Sequence, residues 1–183
     1  MGPKHTREQM LAGALDVAFD EGLSQLTFGR VAARIGVSDR TVVYYLPSKD
    51  DLVTQVLLEV GSRLQDVLAE AFTGPAADHL ALARQAWPVL TRVEFDPVFA
   101  LFFEAIGLAA AGREPYRTLV AQLVDMWASW LTEFLSGTAA ARRAEAESAI
   151  TLIDGLLLLR QVSGPAASDR AARRMGVTGP ARR

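Results

Sequence analysis

Two short apolar patterns, separated by one glycine, set the strongest limit on how this chain folds. Residues 27–52 read TFGRVAARIGVSDRTVVYYLPSKDDL. Thr27 can accept from the free N–H groups of a helix start, so it is an N-cap. Phe28, Val31, Ala32 and Ile35 follow at i, i+3, i+4 and i+7, which is one face of a helix. Gly36 supplies the backbone freedom that a tight turn needs. Val37 is the apolar turn residue that pins two helices together. Ser38 caps a second helix carrying Asp39, Arg40, Thr41, Val42, Val43, Tyr44 and Tyr45. Pro47 prevents that helix from continuing across Leu46. Ser48 with Asp51 reads as a capping-box variant that opens a third helix. Two short helices joined by a tight turn are a device for placing one helix in the major groove of DNA.

A further helix is expected upstream, roughly from Thr6 to Glu21. Its apolar set is Met10, Leu11, Ala14, Leu15, Ala18 and Phe19, again at helical spacing, and Gly22 stands where a helix ends. Three helices of this length bury a small shared core that would be marginal alone.

These residues resemble the TetR family of bacterial transcriptional regulators. The likeness runs through the amino-terminal helix, Leu26-Thr27-Phe28, Val31-Ala32, Ile35-Gly36-Val37-Ser38, Thr41-Val42, Tyr44-Tyr45, and Ser48-Lys49 to Leu52. It is specific over about the first quarter of the chain. Two positions depart from the usual pattern: Val43 stands where the family often has Tyr, and Leu46 where it often has Phe. The resemblance implies a reader domain followed by a helical domain that binds an effector and dimerises.

Composition narrows the alternatives. Half of the 183 residues are hydrophobic, enough for a substantial core, and the length fits one or two small domains. There is no Cys, which excludes a disulfide framework, a thiol nucleophile and a thiolate metal site. His5 and His79 have no ligand-spaced partner, so neither a zinc site nor any other cofactor is expected. The formal net charge is −2, and in residues 1–50 the basic side chains (Lys4, Arg7, Arg30, Arg34, Arg40, Lys49) only equal the acidic ones. Charge alone therefore does not mark a nucleic-acid binder; the motif does. The start MGPKHTREQM lacks the apolar region of a signal peptide. The apolar run from Ile150 to Leu159 is interrupted by Asp154 and too short to span a bilayer. A cytoplasmic location and no membrane partner are expected.

Beyond the motif the chain reads as helices with clear punctuation. The expected spans are 50–72, 77–93 with a kink or early end at Pro88, and 97–111 behind Asp96 as N-cap. Three more follow at 115–135, 139–162 and 166–175. No alternation suggests strands. The expectation is an all-α fold of about nine helices. A helix-turn-helix domain occupies residues 1–48, a helical effector-binding and dimerisation domain 49–176, and a flexible tail 177–183.

In the reader, the amino-terminal residues of the second motif helix face base edges: Ser38, Asp39, Arg40 and Thr41. Arg40 suits guanine O6 and N7, or else a phosphate. Thr41 suits a thymine methyl or a phosphate. Asp39 either accepts from cytosine N4 or favours the positive helix end. Thr27, Tyr44, Tyr45 and Lys49 suit the DNA backbone, with packing in the small core the alternative for Tyr45.

One reader contacts few base pairs, so useful specificity needs two, about 34 Å apart, and hence a homodimer on a palindromic operator. Ile150, Ile153, Leu156, Leu157 and Leu159 are the expected dimer surface, with ordinary core the alternative, and Gly155 permits close approach. The resemblance implies an interface of two carboxy-terminal helices from each subunit.

The helix at 97–111 is hydrophobic nearly all round, so burial is expected. Trp87, Phe99, Phe102, Phe103, Tyr116, Leu119, Leu123, Met126, Trp127 and Trp130 would line a pocket for a small apolar or aromatic effector, or else form core. Glu104, in the middle of that helix, either meets the effector or pairs with Arg92 or Arg113. The resemblance implies a repressor released by its effector; an activator of the same architecture is open. A helical adaptor using the motif for protein contacts is the other class, and no nucleophile–base–acid set supports an enzyme.

Overall fold

A computed structural model describes residues 6–178. Within them the chain forms nine α-helices and no strand: α1 Arg7–Glu21, α2 Phe28–Ile35, α3 Asp39–Tyr45, α4 Lys49–Ala71, α5 His79–Leu90, α6 Asp96–Ala110, α7 Tyr116–Leu131, α8 Ala139–Ser163 and α9 Pro165–Arg174. Lys4, His5 and residues 179–183 of the expected tail lie outside the described residues.

Local chemistry fixes the helix starts. Thr6 and Gln9 form a reciprocal capping box at α1, with Gln9 N–H on Thr6 Oγ1 at 3.3 Å and Thr6 N–H on Gln9 Oε1 at 3.0 Å. Thr27 accepts from Arg30 N–H, Ser38 from Thr41 N–H, and Ser48 from Asp51 N–H at 2.9 Å. Gly36 closes α2 in the left-handed region at φ +72°.

Several boundaries differ from expectation. Helix α5 begins at His79 because Asp78 caps it, accepting from Ala81 N–H at 2.7 Å. Ala76 is drawn away to pair with the segment at Leu135 in one isolated bridge. Pro88 is carried inside α5, which ends two residues later at Leu90. Asp96 is not a cap: it has helical dihedrals, and its carboxylate turns to Arg160. Val177 is buried and donates to Ala172 O, so the ordered chain reaches past the expected start of the tail.

Contacts divide the chain into two compact units, Met1–Arg63 with Ala100–Ala121, and Leu64–Phe99 with Gln122–Arg183. In the first, α1 packs on α2 and α3. Its core includes Met10, Ala14, Val17, Leu23, Leu26, Val31, Val42 and Leu46, all fully buried. Gly13 permits the closest approach, because a Cβ there would lie 2.4 Å from Ile35 Cγ2. Phe19, expected on the packed face, is 38% exposed.

In the second unit α8 packs against α5 and α9. Ala76, Leu82, Ala128, Leu131, Leu135, Ala146 and Ala149 form its core cluster, flanked by Phe72, Trp130, Phe134 and Ile150. The Phe72 and Phe134 rings lie 4.5 Å apart, and those of Trp130 and Phe134 4.9 Å. Ser168 Oγ donates to Leu156 O at 2.7 Å, tying α9 to α8. Among the described residues no helix is long and apolar enough to cross a membrane.

Candidate nucleic-acid interface

Helix α3 is held from below and open above. Val42 is fully buried and anchors it. Ser38, Asp39 and Arg40 are exposed, Thr41 and Tyr45 are half-buried, and Tyr44 is 79% exposed. Ser38 Oγ and Thr41 Oγ1 are 2.9 Å apart, so these hydroxyls set each other's rotamers. The Tyr44 and Tyr45 rings meet edge to face at 4.9 Å, which holds the Tyr44 ring at the surface. Val43, at 38% exposure, adds an apolar patch.

The cations of the reader are mostly engaged. Arg30 pairs with Glu21, and Arg34 pairs with Asp20 at 2.6 Å and Glu21 at 3.2 Å, clamping the end of α1 onto α2. The Lys49 ammonium, expected at phosphate, donates to the Leu26 carbonyl, and burial pulls its pKa down. Among the described residues the Arg40 side chain has no hydrogen-bond or ion-pair partner.

Glu104 pairs with neither Arg92 nor Arg113. Its Oε2 accepts from Leu23 N–H at 2.8 Å, and its Oε1 accepts from Ser24 N–H at 2.9 Å and Ser24 Oγ at 2.6 Å. Burial alone would raise this carboxyl, but the three hydrogen bonds outweigh it and hold the pKa below the usual value. A Cβ on Gly22 would come within 2.9 Å of Oε2, and Gly22 lies at φ +89°, so glycine is required twice over. The Tyr116 hydroxyl donates to Leu23 O at 3.4 Å. Glu104 thus caps the turn Leu23–Gln25 between α1 and α2. Sequence reasoning missed this role because the partners are eighty residues apart.

The other residues expected at the effector pocket are divided between the units. Phe102, Phe103, Tyr116 and Leu119 fall in the first; Trp87, Phe99, Leu123, Met126, Trp127 and Trp130 fall in the second. Trp87, Phe99, Tyr116, Leu119 and Leu123 are buried, Phe102, Phe103, Trp127 and Trp130 are half-buried, and Met126 is 45% exposed. Helix α6 is therefore less buried than its all-round apolar sequence implies.

Of the expected dimer residues, Ile153, Leu156 and Leu157 are buried within the chain itself. Ile150 packs on the core cluster, and Leu159 is half-buried. Among the described residues, the exposed large apolar side chains on α8 and beyond it are Leu158, Val162 and Met175. A groove of about 600 Å³ lies between Leu152, Gly155, Leu156 and Leu159 of α8 and Ala171 and Met175, with His79 and Glu147 at its polar side.

A helix-turn-helix with an open recognition helix, followed by further helices, is the architecture of a DNA-binding regulator. Residues 10–56 match the family model described as bacterial regulatory proteins, tetR family. Solved structures extend the likeness in fold over nearly the whole length. A transcriptional regulator from Rhodococcus sp. Rha1 has a TM-score of 0.71 at 20% identity, covering 96% of this chain and 100% of that one. A TetR transcriptional regulator from Legionella pneumophila has a TM-score of 0.66 at 18% identity, covering 96% and 97%. The multidrug binding protein EbrR, solved with imidazole, has a TM-score of 0.70 at 22% identity, covering 96% and 92%. No curated protein sequence matches the chain.

Proposed function

We propose that this chain is an effector-responsive transcriptional repressor that binds a palindromic DNA operator as a homodimer. The observation that carries the reading is α3: Val42 anchors it from within while Arg40 and Tyr44 stand free of the core. Arg40 reads guanine through its fork, and Ser38, Asp39 and Thr41 complete the base-facing turn. Thr27, Tyr44 and Tyr45 serve phosphates, and Lys49 contributes through its hold on the start of α2.

Two readers need a shared interface, and the exposed apolar side of α8 and α9 supports one. Ile150 and Leu159 remain from the expected set, joined by Leu158, Val162 and Met175. The effector is a small apolar or aromatic molecule, as the aromatic residues of α6 and α7 suggest. EbrR has also been solved with proflavin, which makes an aromatic dye a reasonable first probe.

The test is in vitro selection of random duplex DNA on the purified protein at a stated salt concentration, since phosphate contacts make affinity salt-dependent. The expected result is an enriched palindrome. Binding without enrichment would remove the sequence-specific reader. No DNA binding at all would favour the alternative class, a helical adaptor that uses α2 and α3 for protein contacts.

A further inference from the structure

Asp39 is an odd residue for a surface that meets DNA. It opens α3, is exposed, and among the described residues its side chain has no hydrogen-bond or ion-pair partner. A Cβ placed on Gly29 would lie 3.4 Å from Asp39 Oδ2 and 4.0 Å from Oδ1. Gly29 is the second residue of α2, so the carboxylate stands over the first turn of that helix. Arg30 N–H is already on Thr27 Oγ1 and Val31 N–H on Thr27 O. The start of α2, like that of α3, carries partial positive charge, and Asp39 is placed to take up both.

None of the nearby cations pairs with it, the adjacent Arg40 included. Arg30 and Arg34 are clamped by Asp20 and Glu21, and Lys49 is on Leu26 O. A duplex carries a negative charge about every 1.7 Å along its axis, so an approaching carboxylate meets repulsion on any sequence. In the major groove one base offers a matching donor: cytosine, through its N4 amino group.

We infer that Asp39 is a specificity-determining residue that works by exclusion. Its charge disfavours DNA in general and is offset where a cytosine donates to it. The inference rests on the reading of α3 as the DNA reader. It assigns to one side chain both a penalty on unselected DNA and a preference at one position of each half-site.

The experiment compares wild type, Asp39→Asn, Asp39→Ala and Asp39→Glu, each by selection from random duplexes and by titration of the enriched and a scrambled duplex. Asn keeps an acceptor, drops the charge and suits adenine. Asp39→Asn should bind the scrambled duplex ~3–10-fold more tightly and move the preferred base from C towards A at one position. Asp39→Ala should show the same gain on scrambled DNA and lose preference at that position. Asp39→Glu keeps the charge, so its affinity for scrambled DNA should stay at the wild-type level. Thermal melting confirms that each variant is folded, and the Glu variant keeps the comparison open if Asn or Ala unfolds. Unchanged base preference and an unchanged scrambled-to-enriched ratio in the neutral variants would overturn the inference, as would a gain with Glu as large as with Asn. A wild-type protein that enriches no sequence fails earlier, at the reader itself, and takes the inference with it.

Discussion

Arg160 and Asp96 form a two-pronged ion pair inside the second compact unit. Arg160 Nε donates to Asp96 Oδ1 at 2.7 Å and Nη2 to Oδ2 at 3.2 Å. Arg160 is only 8% exposed, and Gln161 Nε2 adds a bond to Asp96 O at 2.9 Å. The carboxylate that would otherwise cap α6 thus fastens the start of that helix to the end of α8. Removing one partner leaves a buried charge, whereas removing both does not. Asp96→Ala should cost ~3 kcal/mol in chemical denaturation, and Asp96→Ala with Arg160→Met should cost less than Asp96→Ala alone.

Asp154 is half-buried, and among the described residues its side chain has no hydrogen-bond or ion-pair partner. Burial pushes its pKa from 3.8 up to about 7. The folded chain therefore holds this proton more tightly than the unfolded chain. Its contribution to stability is fully present below pH 3.8, is lost as pH rises towards about 7, and is constant beyond. Asp154→Asn should accordingly stabilise the protein at pH 8 by roughly 1–3 kcal/mol and make little difference at pH 4. Denaturation series at the two pH values measure this; an equal effect at both would contradict it.

Glu104 tests differently because its charge is wanted. Three donors converge on the carboxylate, so Glu104→Gln, which brings an amide donor among them, should loosen the turn at Leu23–Gln25. Hydrogen exchange at the Leu23 and Ser24 amides should accelerate ~10-fold or more. The pKa is lowered, so this stabilisation holds above the ordinary value of 4.5 and fades as pH falls below it.

Gly13→Ala would drive a methyl group into Ile35 Cγ2, 2.4 Å away. Overpacking of this kind costs ~1–3 kcal/mol, so the melting temperature should fall. The double variant Gly13→Ala with Ile35→Ala, which removes Cγ2, should cost less than the sum of the two single changes if that contact is the cause.

The reader's engaged cations set its salt response. With Arg30, Arg34 and Lys49 occupied, few phosphates are neutralised, and the slope of log K against log salt should be shallower than about −5 for the proposed dimer. Arg40→Ala should cost ~1–3 kcal/mol at one base position and nearly nothing once that base pair is replaced. Lys49→Ala should lower thermal stability as well as affinity, because its ammonium holds Leu26 O.

The motif was legible in the sequence because its signals are local. Thr27, Ser38 and Gly36 act within four residues of themselves, and Phe28, Val31 and Ile35 declare their face by spacing alone. What escaped was long-range. Glu104 looked like a misplaced charge in an apolar helix until Leu23 and Ser24, far away in the chain, supplied its partners. Lys49 looked free until Leu26 O claimed it. Along α8 both sides are apolar, so periodicity could not choose between Ile153, Leu156 and Leu157, which turn inward, and Leu158 and Val162, which are exposed. Phe19 shows the converse: helical spacing placed it with the core, and the packing left it exposed.

The most direct test of the account is titration of the purified chain against its selected duplex, intact and with one half-site scrambled, at one fixed salt concentration. A dimer carrying two α3 readers predicts that scrambling a single half-site weakens binding at least ~10-fold, and that restoring its preferred bases recovers it. Equal affinity for the intact and half-scrambled duplexes would contradict the paired-reader account.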